Sequence, residues 1–233
     1  MLEFRDRHVV VTGGAGALGT AVVGALVEAG ALCHVPCMDQ AEADRFRLRA
    51  HKQVTLTVTG SLTEEAPVTR LYDGIAPLWA SIHLAGGFAA GPLAEASAAT
   101  LRQQIDMNLM SCLLCCRGAV RAMAGSRGGR VVNVAARPAL EWRTGAGTTA
   151  YAASKAAVAA LTAALAEEVA KSGILVNAVA PSIMDTPTNR QAMPKADFSL
   201  WPKVEEVAAT ILFLASPENR VTRGAIVPVY GRS

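Results

Sequence analysis

The sequence predicts a doubly wound α/β fold, with about seven parallel strands covered by helices on both faces, as one domain over residues 1–233. Three observations lead there. Apolar runs of strand length alternate with helical patterns from end to end, which calls for right-handed crossovers between parallel strands. Several of the runs are apolar at consecutive positions, as strands buried on both faces require. The first run, Val9-Val10-Val11, empties through glycines directly into a helix.

The elements follow in order. His8–Thr12 opens the sheet, and a glycine-rich turn leads into a helix over Leu18–Glu28. Leu32–Val35 and a helix over Ala41–Arg49 come next, then Val54–Val58 and Thr63–Ile75, then the strand Ser81–Leu84. Ala98–Met123 reads as a long helix interrupted near Asn108. Arg130–Val134 precedes a long helix over Tyr151–Ser172. Leu175–Ala180, a helix over Val204–Ala215 and the strand Ala225–Val229 complete the chain. Ser182 to Pro202 mixes prolines with polar residues and shows no period. A connection of that length is usually functional, and its place after a strand puts it at the carboxyl edge of the sheet, where open α/β folds bind ligands.

Composition narrows the classes. Of 233 residues, 52% are apolar and only 18% charged, which points to extra buried surface through a largely covered sheet, a subunit interface or both. A net charge of +3 without a basic cluster excludes nucleic-acid binding. The charged N-terminal stretch Glu3 to Arg7 lacks a signal-peptide core, and the low-polarity run Ala156–Leu165 is too short to span a bilayer. A cytoplasmic protein with no membrane partner is expected. The five cysteines, Cys33, Cys37, Cys112, Cys115 and Cys116, have no nearby histidine at metal-binding spacing, so reduced core thiols and no metal are expected.

The turn Thr12-Gly13-Gly14-Ala15-Gly16-Ala17-Leu18-Gly19 carries the first chemistry. A strand that ends in glycines at a helix N-terminus presents free N–H groups and a positive dipole end to an anion, here the pyrophosphate of a dinucleotide. The fold is therefore of Rossmann type. Tyr151 and Lys155 carry the second. Residues at i and i+4 share a helix face. A phenol titrates near 10 and needs a nearby cation to act as an acid or base at neutral pH.

With these motifs the chain resembles the short-chain dehydrogenase/reductase family over nearly its whole length. Thr12, Gly13 and Gly19 match that family's TGxxxGxG turn, with Ala17 in place of the middle glycine. His83-Leu84-Ala85-Gly86 stands at its NNAG segment and keeps Ala85 and Gly86. Asn108 matches its helix asparagine, Tyr151 and Lys155 its YxxxK, and Pro181, Ser182 and Thr186 its PGxxxT segment. The resemblance implies that Tyr151 exchanges the proton, that Lys155 holds the nicotinamide ribose and lowers the Tyr151 pKa, and that Asn108 supports a water path to Lys155. It implies that Thr186 binds the carboxamide, and that Gly16, Leu18, Ser61, Leu62 and Pro181 line the cofactor. Homodimers or homotetramers are implied as well.

One departure stands out. The serine that the family places after its fifth strand is absent, and Ala135-Ala136 occupies its place; Thr144, Thr148 and Thr149 are the nearest substitute hydroxyls. The loop Asp185 to Trp201, with Gly13–Gly19 and Ala85-Gly86-Gly87-Phe88, is similar to dihydropteridine reductases, which also lack that serine. The resemblance implies hydride transfer between NAD or NADP and a small carbonyl, alcohol or conjugated C=N compound, pterin-like in the last case. A catalytically weak dinucleotide-binding regulator or scaffold is the alternative. Asp39 lies about twenty residues past the turn, where an acid takes the adenine ribose, so the balance leans to NAD, although Asp39 also suits a helix N-cap. His83 reads as a satisfied strand histidine. Phe88, Trp142, Phe198 and Trp201 could wall a flat substrate or anchor an interface.

Overall fold

The computed structural model describes residues 2–75, 77–126 and 128–233. Seven parallel strands form one sheet: β1 (His8–Thr12), β2 (Leu32–Cys37), β3 (Val54–Val58), β4 (Leu78–His83), β5 (Gly129–Val134), β6 (Ile174–Pro181) and β7 (Ile226–Val229). Their spatial order is β3-β2-β1-β4-β5-β6-β7. The chain winds outward from β1 to β3, then returns to the other side of β1. The switch lies between β1 and β4, where Leu84 N–H reaches Thr12 O at 3.1 Å and Ala85 N–H reaches Thr12 Oγ1 at 3.2 Å.

Helices cover both faces. α1 (Ala17–Glu28), α2 (Gln40–Arg45) and α8 (Val204–Ala215) lie on one side, and α3 (Glu65–Asp73), α5 (Ser111–Met123) and α6 (Thr149–Glu168) on the other. Strand alternation decides which core a residue joins. Val9 and Val11 pack with Val22, Leu26 and Ile211, while Val10 between them packs with Val68, Leu71 and Val176. Burial of each such side chain contributes roughly 1.5–3 kcal/mol, so both apolar faces of the strands stabilise the sheet.

Several boundaries differ from the sequence expectations, each for a local reason. α2 stops at Arg45 rather than Arg49, because Phe46 takes an extended backbone and enters the core. α3 starts at Glu65 rather than Thr63, because Ser61 Oγ takes the Thr63 N–H at 3.2 Å and forms a turn first. The expected interruption near Asn108 is a π-turn, Asp106–Met110, between α4 (Ala98–Ile105) and α5. The loop after β6 holds a short helix, α7 (Pro187–Ala192), capped by Thr186. α6 runs for 20 residues and is long and apolar enough to cross a membrane by length and composition, unlike the shorter run expected; a third of its most apolar window is buried, and it lies along β5 and β6.

Candidate active site

The glycine turn is shaped by close backbone approach. Gly13 has φ +64°, and a Cβ there would stand 2.7 Å from Ala85 N, so only glycine lets β1 and the β4 exit meet. Gly16 starts α1 without a side-chain cap, and no acid occupies the first helical turn, which includes Ala17, Leu18 and Gly19. The free N–H groups there suit a phosphate, as the sequence predicts.

A cleft of about 620 Å³ opens at the switch point. Gly13, Cys37, Met38, Glu42, Ser61, Leu62, Ala85 and Gly86 lie on its walls, with Arg102 and Met107 opposite. Asp39 takes the second of the two roles that the sequence allows it. Its carboxylate accepts the Glu42 N–H at 2.7 Å and caps α2. The acid on this wall is Glu42, whose Oε2 accepts the Met38 N–H at 2.6 Å.

Tyr151 and Lys155 sit at the start of α6. Lys155 is buried, and its Nζ donates to Val134 O at 2.8 Å. Gly86 packs closely on this group: a Cβ there would stand 2.6 Å from Asn108 Oδ1 and 3.5 Å from Lys155 Nζ. The π-turn aims Asn108 inward, where it donates to Gly87 O at 2.9 Å and Ser154 Oγ at 3.1 Å and accepts the Gly87 N–H at 3.0 Å. Asn108, Lys155 and Gly86 therefore lie close together. Phe88 packs edge-on against Tyr151, ring centroids 5.0 Å apart. Burial pushes the Tyr151 phenol up to about 12, and burial pulls the Lys155 ammonium down to about 8. The expected lowering of the Tyr151 pKa by Lys155 is not found in this arrangement, where desolvation dominates both groups.

These features are found in known enzymes. The sequence pattern of the short chain dehydrogenase family matches residues 7–197. The chain belongs to the short-chain dehydrogenase family. Galactitol 2-dehydrogenase of Rhizobium johnstonii is 34% identical over 239 residues, which cover 96% of this chain and 93% of that protein. Cis-4-hydroxycyclohexanecarboxylate dehydrogenase of Sinomonas cyclohexanicum is 34% identical over 242 residues, covering 98% and 96%. A short-chain type dehydrogenase/reductase from Mycobacterium ulcerans superposes with a TM-score of 0.90 at 25% identity, covering 99% of this chain and 90% of that one. This short-chain dehydrogenase is thus an oxidoreductase of a family that uses NAD or NADP. The glycine turn and the cleft fit such a cofactor.

Against that family, the Ala136 position is the main departure. Ala136 is buried and offers a methyl group beside the site. Thr144 and Thr148 do not replace the missing hydroxyl, since they donate to Glu141 O at 2.8 Å and Gly145 O at 3.1 Å. Thr149 faces a separate cleft with Gln104 and Thr100. At the end of β6, Pro181 is buried, and Ser182 Oγ donates to Tyr230 O at 2.9 Å. Thr186 is buried too, and its Oγ1 accepts the Asn189 N–H at 3.2 Å.

Two features were missed in the sequence. α7 has the signal of a capping Thr186 followed by Pro187 at the first helical position. His83 meets Cys112 and Cys116 in the core, although they lie 29 and 33 residues apart in the chain and no spacing rule joins them. Within that group a hydrogen bond with Cys116 draws the Cys112 thiol below its ordinary range.

Proposed function

We propose that this short-chain dehydrogenase moves hydride between NAD(H) and a small, flat, conjugated C=N compound of the quinonoid dihydropterin kind. The observation that carries this reading is the buried methyl of Ala136, with no hydroxyl supplied in its place. A ketone concentrates developing negative charge on one oxygen, and losing one donor to such an oxygen costs about 100- to 1000-fold in rate. A conjugated ring spreads that charge and needs one proton at one nitrogen. The resemblance of the loop Asp185 to Trp201 to dihydropteridine reductases supports the same reading.

When bound, the dinucleotide supplies the hydride in the reducing direction. Tyr151, held protonated by its burial, gives its proton to the substrate nitrogen. Lys155 would hold the nicotinamide ribose, and solvent returns the proton to Tyr151 past Asn108. Phe88, exposed and packed edge-on against Tyr151, offers a ring face to a flat substrate. The preference for NAD rests on the β2 wall, where Cys37, Met38 and Glu42 offer no cation to a 2′-phosphate and Glu42 repels one. Two further expectations belong to this reading: a cytoplasmic setting that keeps the five buried thiols reduced, and a homodimer or homotetramer.

Steady-state rates with NADH and NADPH on a quinonoid dihydropterin, a quinone, cyclic imines and ketones test it. The expected order places the pterin at least about 100-fold above any ketone in kcat/KM, with NADH bound more tightly than NADPH. Ala136→Ser should raise ketone reduction by about tenfold or more and leave the pterin rate within about twofold. Ketone turnover faster than pterin turnover in the unmodified enzyme would reverse the assignment.

A further inference from the structure

Behind the catalytic lysine, three elements bring nitrogen, sulfur and oxygen to one point. β4 contributes His83, β5 contributes Asn133, and α5 contributes Cys112 and Cys116 on successive turns. All four side chains are buried. The ligand atoms of His83, Cys112 and Cys116 lie within 4.8 Å of one another. Asn133 Oδ1 is 2.8 Å from His83 Nδ1, 3.3 Å from Cys112 Sγ and 3.5 Å from Cys116 Sγ, and Cys116 Sγ is 3.5 Å from His83 Nδ1.

Hydrogen bonding alone overcommits this group. Thr162 Oγ1 donates to Val158 O at 2.8 Å and so accepts the Asn133 Nδ2 proton at 2.9 Å, which fixes Oδ1 toward the cluster. That oxygen then faces an imidazole N–H and two thiols, three donors for two lone pairs. His83 Nδ1 cannot both donate to Asn133 and accept from Cys116.

A cation at the centre removes the conflict. Around tetrahedral zinc, with Zn–S near 2.3 Å and Zn–N or Zn–O near 2.0 Å, neighbouring ligand atoms stand about 3.3–3.8 Å apart. Three of the four distances above fall at or close to that range, and the fourth opens by about half an ångström on this estimate. We propose that His83 Nδ1, Cys112 Sγ, Cys116 Sγ and Asn133 Oδ1 form a closed structural Zn2+ site. Both thiols release their protons to solvent on binding, no electron is transferred, and two thiolates leave the unit neutral within the core. The ring of His83 is already oriented for this task. Its Nε2 lies 2.8 Å from Ser81 Oγ, which lies 2.7 Å from Tyr72 OH, so a hydroxyl stands ready to accept the Nε2 proton when Nδ1 ligates. Four protein ligands leave no open position, so the metal would clip β4, β5 and α5 together rather than act on substrate. The site stands independently of the substrate assignment above.

Metal analysis of the full-length protein, expressed with zinc and washed with a chelator, tests the proposal. The expected result is about one zinc per chain, retained in the folded protein and released on denaturation. Refolding with Co2+ instead should produce a thiolate-to-cobalt charge-transfer band, and zinc should raise Tm by about 5–10 °C. His83→Asn and Cys112→Ser should both lose the metal, while Cys33→Ser keeps it. His83→Asn restores the asparagine of the family's NNAG segment, so it serves as the variant that retains its fold, checked by circular dichroism. A folded protein with less than about 0.1 zinc per chain and no cobalt band overturns the site, as does metal retained in a folded variant with both Cys112 and Cys116 changed to Ala.

Discussion

Lys155 has a cost in stability that its chemistry explains. Burial lowers its pKa from 10.5 to about 8, a difference worth about 3 kcal/mol. Below pH 8 both native and unfolded chains hold the proton, and the native state bears the full desolvation cost. Between pH 8 and 10.5 the native lysine has shed its proton while the unfolded one keeps it, so this group's contribution becomes more favourable as pH rises. Lys155→Met removes the ammonium but also the bond to Val134 O, worth about 1 kcal/mol. Chemical denaturation at pH 7 should therefore find the variant more stable by about 2 kcal/mol, with the gain fading by pH 10.5, while turnover is lost. A variant less stable at pH 7 would contradict it. Tyr151→Phe should reduce kcat by about 100- to 10,000-fold and leave the dinucleotide Kd within about twofold, measured by fluorescence titration. At this scale Tyr151 and Lys155 were legible in the sequence, because the helical repeat alone converts a spacing of four into one shared face. Asp39 was not, since a carboxylate after a strand serves equally as a ribose ligand or as a helix cap, and only the bond from Glu42 N distinguishes them.

The π-turn shows how an element turns a local irregularity into a site. One wide turn at Asp106–Met110 between α4 and α5 rotates Asn108 inward, where its amide holds both backbone groups of Gly87. Asn108→Ala would strand that N–H and C=O and the Ser154 contact. The expected loss is about 2–4 kcal/mol, seen as a Tm lower by roughly 5–15 °C. Asn108→Asp keeps the bond from Gly87 N and loses the one to Gly87 O, so its Tm should fall between the two. Equal melting of all three proteins would show that the segment after β4 is held by other contacts. An interruption here was visible in the sequence, because the mainly polar stretch Arg102 to Asn108 gives way to the apolar run Leu109 to Cys116. Its π character was not, since the extra residue per turn depends on what Asn108 finds across the gap. The expected length of α2 failed for a related reason: Phe46 gains more from the core than from one further helical turn.

For the whole molecule, the doubly wound sheet was legible because both of its signals are cumulative: the alternation of strand and helix, and strands apolar on both faces. The composition pointed further, to extra buried surface in a largely covered sheet, a subunit interface or both, and α6 is where one chain leaves apolar surface uncovered. Its most apolar window is only one-third buried, and Ala153, Ala160 and Ala164 form an exposed stripe of small residues along the side facing away from the sheet. Partly buried Leu161 and Leu165 extend that stripe, and Leu113 and Leu114 give neighbouring α5 similar character. Small side chains let a second helix approach closely, and a stable pair needs only about 800 Å² from each partner. A second copy of the chain is the expected occupant, with α6 against α6 across a two-fold axis. Ala160→Arg places an unpaired charge at the centre of that contact, a cost of about 3 kcal/mol or more. Sedimentation velocity should show the unmodified protein as a dimer or tetramer at micromolar concentration, and the variant dissociating at concentrations about 100-fold higher. Because Ala160 is exposed in the single chain, the variant monomer should keep its fold, so its circular dichroism should match the parent. An Ala160→Arg protein that assembles as tightly as its parent would place the interface on another face, and α6 would then have to be covered by something other than its own copy.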